Sequence, residues 1–69
     1  MKKTAKIGGM SCEHCERAVK AALEAIKGVE HATVSFIEGH AIIKCDECVT
    51  DELIAAAILE EEYEFLGMM

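Results

Sequence analysis

The order in which strand and helix patterns alternate constrains the fold of this chain more than any other feature. Apolar residues recur at the helical period in two stretches, and strand-like alternation precedes, separates and follows them. The order is β-α-β-β-α-β within 69 residues, a length that allows one domain at most. Such a chain buries both helical stripes most simply against one face of an antiparallel sheet. We therefore predict an α+β, ferredoxin-like sandwich, formed by residues 1–69 as a single domain, with four antiparallel strands and two helices on one face.

The first half of the chain contains a short strand, which a pair of glycines ends, and then a helix that begins between Ser11 and Glu13. Lys27 in the last turn and Gly28 directly after it predict where this helix stops. Its buried stripe is expected to comprise Ala18, Val19, Ala22, Leu23 and Ile26.

The second half begins with a predicted hairpin that turns at residues 38–40. Thr50 is the predicted N-cap of the second helix, and Asp51 and Glu52 place negative charge in its first turn, where the helix dipole favours it. A last short strand is expected within residues 63–68. The side chains expected to face the core are Ala32, Val34 and Phe36 in the second strand, Ala41, Ile43 and Cys45 in the third strand, and Leu53, Ile54, Ala57 and Ile58 in the second helix.

The charge of the chain is unevenly distributed. Residues 1–44 carry 7 Lys/Arg and 5 Asp/Glu, whereas residues 45–69 carry 8 Asp/Glu and no Lys or Arg, for a net charge of −6. Nucleic-acid binding calls for a basic surface, so this function is not expected. The acidity favours docking on a basic protein partner, or it only keeps the protein soluble, and the sequence leaves both open.

The chain has no apolar run near the roughly 18 residues of a membrane span, and no direct membrane insertion is expected. Its basic start leads into no apolar segment, so we predict no secretory signal and a cytoplasmic location. Disulfides are rare in such a reducing compartment. The four cysteines therefore favour metal binding or redox chemistry over a disulfide scaffold.

Cys12 and Cys15 lie three residues apart, directly after a glycine pair and at the predicted start of a helix. The glycines allow a tight loop, so that both sulfur atoms can face one point. Unpaired N–H groups and the positive end of the helix dipole favour thiolate over thiol. Thiolates are soft ligands that select soft ions such as Cu(I), and two of them suffice for a linear site, whereas a structural zinc site uses about four.

Residues 9–15, Gly-Met-Ser-Cys-Glu-His-Cys, resemble the Gly-Met-x-Cys-x-x-Cys signature of the heavy-metal-associated domain family. The resemblance covers nearly the whole chain and is closest to bacterial cytosolic copper chaperones. It implies that Cys12 and Cys15 bind the metal, that Met10 anchors the loop in the core and that Tyr63 lies near the site. It also implies a recipient such as a copper-transporting P-type ATPase or another C-x-x-C protein.

One position departs from the family pattern. The late tyrosine is usually preceded by glycine, but here Glu62 stands there, after Glu60 and Glu61. Three glutamates at a helix C-terminus oppose the helix dipole and repel one another. We therefore expect this helix to extend or to fray, which makes the position of Tyr63 uncertain from sequence. The run is either an acidic docking patch or a solvated helix end.

A second pair, Cys45 and Cys48, falls outside the family signature. The strand directions of the predicted fold put it at the pole opposite Cys12 and Cys15. Three interpretations stay open: a buried residue with an incidental thiol, a second and weaker metal site, or a redox-sensitive disulfide. Asp46 and Glu47 between them would disfavour thiolates.

Other potential donors are more weakly indicated. His14, beside Cys15, is a candidate third ligand or an aid to metal release as pH falls. His40 is expected to be a surface residue at the edge of the metal pole, and His31 has no visible partner in the sequence. Met68 and Met69 carry thioethers that Cu(I) accepts, but a frayed terminus is the simpler expectation.

Three function classes compete. The leading one is a metallochaperone, which changes no covalent bond in a substrate and is not an enzyme. The second is a thiol–disulfide oxidoreductase that uses the same C-x-x-C, against which stand the absence of proline and a different element order. The third is a sensor, buffer or regulatory domain. Cu(I) is the leading metal, and Hg(II), Cd(II) and Zn(II) remain rivals. We expect a monomer without metal and allow for a metal-bridged dimer.

Overall fold

A computed structural model describes residues 1–68 and contains one four-stranded antiparallel sheet with two helices on one face. The sheet order is β2-β3-β1-β4, as the ferredoxin-like prediction requires, so the predicted fold class is confirmed. Met69 lies outside the described residues, and nothing follows for the thioether predicted there. The elements are β1 (Lys2–Gly8), α1 (Glu13–Glu24), β2 (Val29–Ser35), β3 (His40–Cys45), α2 (Asp51–Glu60) and β4 (Glu64–Met68).

The core lies between the sheet and the helices and is built from alternate strand residues. Successive side chains of a strand point to opposite faces, and Ala41, Ile43 and Cys45 of β3 are buried while Ile42 and Lys44 are exposed. Other strand residues that face the core are Ala5, Ile7 and Ala32, and the helices and their connection contribute Val19, Leu23, Val49, Ile54, Ala57 and Ile58.

The first helix is shorter than predicted. It ends at Glu24, with Ala25 as its cap, rather than in the turn that contains Lys27. Ile26 and Gly28 belong instead to a tight connection into β2, because the Val29 N–H bonds the Ile26 carbonyl at 3.1 Å. Gly28 has φ of 101°, a conformation that glycine adopts without strain. Gly28 thus marks the turn and not the helix end.

The second helix begins as predicted but buries a narrower stripe. The Thr50 hydroxyl accepts a hydrogen bond from the Leu53 N–H at 3.2 Å, so the N-cap is confirmed. Ile54, Ala57 and Ile58 are buried, whereas Leu53 is 45% exposed and was wrongly predicted for the core. Consecutive helical residues lie about 100° apart, and Leu53 therefore points into the surface groove between α1 and α2.

The end of α2 neither extends nor frays, contrary to the expectation from its glutamates. The helix ends at Glu60, and Glu62 adopts a left-handed conformation with φ of 67°. The Glu62 N–H bonds the Leu59 carbonyl at 3.0 Å and the Tyr63 N–H bonds the Ile58 carbonyl at 3.3 Å. These two bonds form a Schellman motif, which fixes where Tyr63 leaves the helix.

Two further predictions need correction. Phe36 lies outside β2, which ends at Ser35, because its N–H bonds the Glu16 carboxylate at 2.8 Å instead of continuing the strand. Met68 is not frayed, since it pairs with Ala5 in the sheet and packs against the core.

The strand directions create two poles. At one pole the β2–β3 turn is tied to the end of β1, because the Ile7 N–H bonds the Gly39 carbonyl at 2.8 Å. At the other pole the Cys45 N–H bonds the Met1 carbonyl at 2.9 Å. Within residues 1–68, no helix has the length and apolar character needed to cross a membrane.

Candidate metal centre

Cys12 stands at the junction between the loop after β1 and the first turn of α1. Its backbone is extended, with φ of −162°, and its carbonyl already accepts the N–H of Cys15 at 3.0 Å and that of Glu16 at 3.3 Å. Residues in this position usually cap the helix with a side-chain oxygen. The Cys12 side chain makes no such bond, so its sulfur is left available to a ligand.

The two sulfur atoms lie close together at the surface. The Cys12 and Cys15 sulfurs are 3.8 Å apart, Cys12 is exposed and Cys15 is half-buried, and neither is in a disulfide. Two sulfurs bound to one ion at about 2.3 Å each can be at most about 4.6 Å apart. The pair therefore fits on either side of a single soft ion with little movement.

The surroundings of Cys15 favour its thiolate. The backbone N–H of Ser11 is the largest influence that lowers the pKa of Cys15, from 9.0 to about 6, and the Tyr63 hydroxyl and Cys12 act in the same direction against a desolvation that raises it. The hydrogen bond to Cys15 in turn raises the pKa of Tyr63 to about 12. Cys15 is therefore mostly ionised at neutral pH, which both a metal ligand and a nucleophile require.

Ser11 was not singled out from the sequence. Its contribution is a backbone N–H, together with a hydroxyl 4.0 Å from the Cys15 sulfur. Any residue type carries the N–H, so no sequence signal could have pointed to it.

Met10 and Tyr63 flank the loop on its inner side. Both are partly buried and pack against the core. Gly9, with φ of 90°, brings the backbone next to Tyr63, because a Cβ added there would lie 3.6 Å from the Tyr63 ring. Apolar packing of Met10 and Tyr63 against the core thus holds the loop in place, while the cysteines face outward.

The other predicted donors are not brought together with this pair. His14 is exposed. Cys45 is 2% exposed at the opposite pole, and Cys48 is exposed. Across residues 1–68, no cluster of three or more His, Cys, Asp or Glu side chains could hold a metal ion. Cys12 and Cys15 therefore stand as a pair of neighbouring sulfur atoms, with no third His, Cys, Asp or Glu side chain of the described residues grouped with them.

The remaining histidines have structural partners. His40 is half-buried at the metal pole, with its Nε2 atom 3.3 Å from the Glu38 carboxylate. His31, for which the sequence shows no partner, has its Nδ1 atom 3.4 Å from Glu24 and its Nε2 atom 3.3 Å from the Thr33 hydroxyl. Neither belongs to the cysteine site.

Comparison with known proteins gives concordant results. The model of the heavy-metal-associated domain family matches residues 4–64. A copper chaperone CopZ of Staphylococcus epidermidis is 43% identical over 63 residues, which are 90% of this chain and 93% of that protein.

Two solved structures are also similar. One is described as a CopZ metallochaperone and has a TM-score of 0.92 at 31% identity, over 96% of this chain and 100% of that one. The other is a copper-binding domain from HMA7, a P-type ATPase, with a TM-score of 0.88 at 30% identity, over 97% and 95% of the two chains.

Proposed function

Since the chain belongs to the heavy-metal-associated domain family, we propose that Cys12 and Cys15 bind one Cu(I) ion and deliver it to a partner protein. The observation that carries this proposal is the pair of outward-facing sulfurs 3.8 Å apart, one of them with a pKa lowered to about 6. Two soft sulfur ligands favour Cu(I) over hard cations. Zn(II) is disfavoured because it usually takes four ligands. Hg(II) and Cd(II), which also bind thiolate pairs, remain outcomes of the test.

Delivery requires a bound ion that is accessible. Cys12 is exposed and, within residues 1–68, no third His, Cys, Asp or Glu side chain closes the site, so a sulfur of the partner can bind the ion before a sulfur of this chain leaves. The proposed recipient is a C-x-x-C protein such as a copper-transporting P-type ATPase, a class that includes a protein with a domain similar to this chain. The carrier would act as a single domain in the cytoplasm, as a monomer without metal. It would break no covalent bond of a substrate, and it would therefore not be an enzyme.

The first experiment is a titration of the reduced, oxygen-free protein with Cu(I), with stoichiometry read by native mass spectrometry. The chain offers a matched control, since Cys12→Ser/Cys15→Ser and Cys45→Ser/Cys48→Ser make the same change at opposite poles. One copper per chain, lost only in the first variant, is expected. Two coppers, with one retained in the first variant, would make Cys45 and Cys48 a second site. No tight binding of copper would overturn the metal assignment.

Delivery is tested separately from binding. The loaded protein is mixed with a copper-binding domain of a P-type ATPase, and the two are separated by ion exchange before their copper content is measured. Transfer within the mixing time is expected for a chaperone. Retention of the copper by this chain would instead indicate a buffer.

A thiol–disulfide oxidoreductase is the second candidate, because a lowered thiol pKa beside a second thiol also suits disulfide exchange. Reduction of insulin disulfides by the apo protein discriminates the two. Turnover above that of a dithiol blank would favour the enzyme, and activity no greater than the blank would favour the carrier.

A further inference from the structure

The turn between β2 and β3, residues 36–39, is bonded to both ends of the loop that carries the cysteines. Where β1 leads into the loop, the Ile7 N–H donates to the Gly39 carbonyl at 2.8 Å. In the first turn of α1, just after the second cysteine, the Glu16 carboxylate accepts the Phe36 N–H at 2.8 Å. One turn therefore fixes both the segment that precedes the cysteines and the helical turn that follows them.

Glu16 connects this turn of the sheet to the cysteines themselves. The Cys12 carbonyl accepts the N–H of Cys15 at 3.0 Å and that of Glu16 at 3.3 Å. Glu16 is thus bonded through its backbone to Cys12 and through its side chain to the β2–β3 turn. The ends of helices open more readily than their interiors. Opening of this first turn would change the distance of 3.8 Å between the two sulfurs.

Glu24 makes the same kind of bond at the other end of α1. Because β2 is an edge strand, the N–H groups on its outer side have no strand partner. The Ala32 N–H donates to the Glu24 carboxylate at 3.1 Å, and Glu24 also pairs with Lys20 at 2.6 Å. Within residues 1–68, Glu16 forms no ion pair. The two glutamates therefore bond opposite ends of one helix to the same side of the sheet, and Glu16 is the one at the metal centre.

We propose that Glu16 is a positioning residue of the metal centre, whose carboxylate fastens the first turn of α1 to the β2–β3 turn and keeps the two sulfurs at the spacing that one ion requires. The inference rests on the proposed function and deepens it, because it names a residue outside the sulfur pair that sets how tightly the ion is held. A site that is already ordered in its binding geometry loses less conformational freedom when the ion binds. Without the bond, copper binding would also have to order the first turn, and the affinity would fall.

The negative charge of Glu16 acts in the opposite direction to its hydrogen bond. Cu(I) bound to two thiolates is a net negative group, so a nearby carboxylate repels it. Loss of the charge alone should therefore leave copper binding unchanged or slightly stronger. Glutamine keeps a side-chain oxygen that can accept the Phe36 N–H, whereas alanine removes both the charge and the acceptor. Comparison of Glu16→Gln with Glu16→Ala thus separates the bond from the charge.

The test measures the Cu(I) affinity of the reduced, oxygen-free chain by competition with the chelator bicinchoninate. Loss of a residue that orients metal ligands weakens binding about 10- to 100-fold, and because the Glu16 bond is only half-buried we expect about 10-fold in Glu16→Ala. Glu16→Gln should bind within about twofold of the native chain, since its amide oxygen replaces the acceptor.

Glu24→Ala is the matched control. It removes the same kind of bond from the far end of α1, together with the pair to Lys20, so it should lose at least as much stability in urea unfolding as Glu16→Ala. Its copper affinity should nevertheless equal that of the native chain. Equal weakening of copper binding in Glu24→Ala would show that affinity follows overall stability. That result would overturn the proposal, as would native affinity in Glu16→Ala or equal weakening in Glu16→Gln.

Amide hydrogen exchange of the apo protein, followed by NMR, tests the positioning without copper. The Cys15 N–H should exchange about 10-fold faster in Glu16→Ala than in the native chain, because the turn that protects it opens more often. Its exchange should be unchanged in Glu24→Ala. If the native chain binds no copper, the proposed function fails, and exchange alone decides whether Glu16 orders the sulfur pair. Unaltered exchange of the Cys15 N–H in Glu16→Ala would overturn the role of Glu16 in either case.

Discussion

Replacing Glu62 by glycine should stabilise the domain, although Glu62 is exposed and its side chain forms no hydrogen bond or ion pair within residues 1–68. Glu62 holds φ of 67° to close the Schellman motif at the end of α2. A left-handed backbone costs a residue with a Cβ atom roughly 1–2 kcal/mol. Glycine avoids this cost but loses about 0.5–1 kcal/mol of stability, because its unfolded chain has more conformational freedom. Removing a negative charge from a helix C-terminus adds about 0.3 kcal/mol. The net gain is therefore about 1 kcal/mol.

Two variants separate the effect of backbone strain on stability from the effect of charge. Glu62→Gln removes the charge but keeps the Cβ atom, so it should give only about 0.3 kcal/mol. Glu61→Gly removes the same charge at φ of −85°, where glycine relieves no strain and loses about 0.5–1 kcal/mol. Glu61→Gly should consequently leave stability unchanged or slightly reduced.

The assay is urea and thermal unfolding of the reduced apo protein, followed by circular dichroism. For a domain of this size, 1 kcal/mol corresponds to about 4–8 °C in Tm. The reasoning is refuted if Glu62→Gly leaves Tm unchanged, or if Glu61→Gly raises it equally. A gain in Glu62→Gln as large as in Glu62→Gly would show that charge and not backbone strain is responsible.

Three further predictions concern the thiol, a turn and a cap. The rate at which Cys15 is alkylated, followed by peptide mapping, should reach half its maximum near pH 6. The thiolate is the reactive form, and it predominates above pH 6 because the pKa of Cys15 is lowered from 9.0 to about 6. In Tyr63→Phe, which loses a donor to the thiolate, this midpoint should move to higher pH, and an unmoved midpoint would exclude the hydroxyl as a cause. Gly28→Ala should lower the free energy of unfolding in urea by about 2–4 kcal/mol. The φ of Gly28 is 101°, and a Cβ atom there would lie 2.7 Å from the Asp46 carboxylate. A variant as stable as the native chain would refute this close approach. Thr50→Ala should cost about 1 kcal/mol through the lost cap, and Thr50→Ser should recover most of it.

The sequence predicted the fold because its signals are local and repeated. Alternation in β3 and the Thr50 cap each depend on residues within a few positions of one another, and the structure contains both. Two of the failures, at Gly28 and Phe36, occurred where a distant contact decided the outcome. Gly28 was predicted to stop α1, yet its carbonyl accepts the N–H of Asp46, which lies beyond β3. This contact fixes Gly28 in the turn that leads into β2.

The end of α2 shows a different kind of limit. Like charges at residues 60–62 predict a disturbed helix end. The structure instead closes the helix through the backbone of Glu62, which any residue possesses and which glycine would serve with less strain. A residue that tolerates an unfavourable conformation leaves no favourable signature in the sequence.

The sequence by itself determined the order of elements, the family and the position of two cysteines at a helix start, because these follow from spacing along the chain. Only the tertiary structure decided what surrounds those cysteines. The Tyr63 hydroxyl reaches Cys15 from the far end of the chain, and the Ser11 N–H acts through a loop conformation. The tertiary structure likewise placed Lys2 opposite Lys44, which are 42 residues apart. Charge at a site depends on distances in space, and the pairing of strands sets those distances.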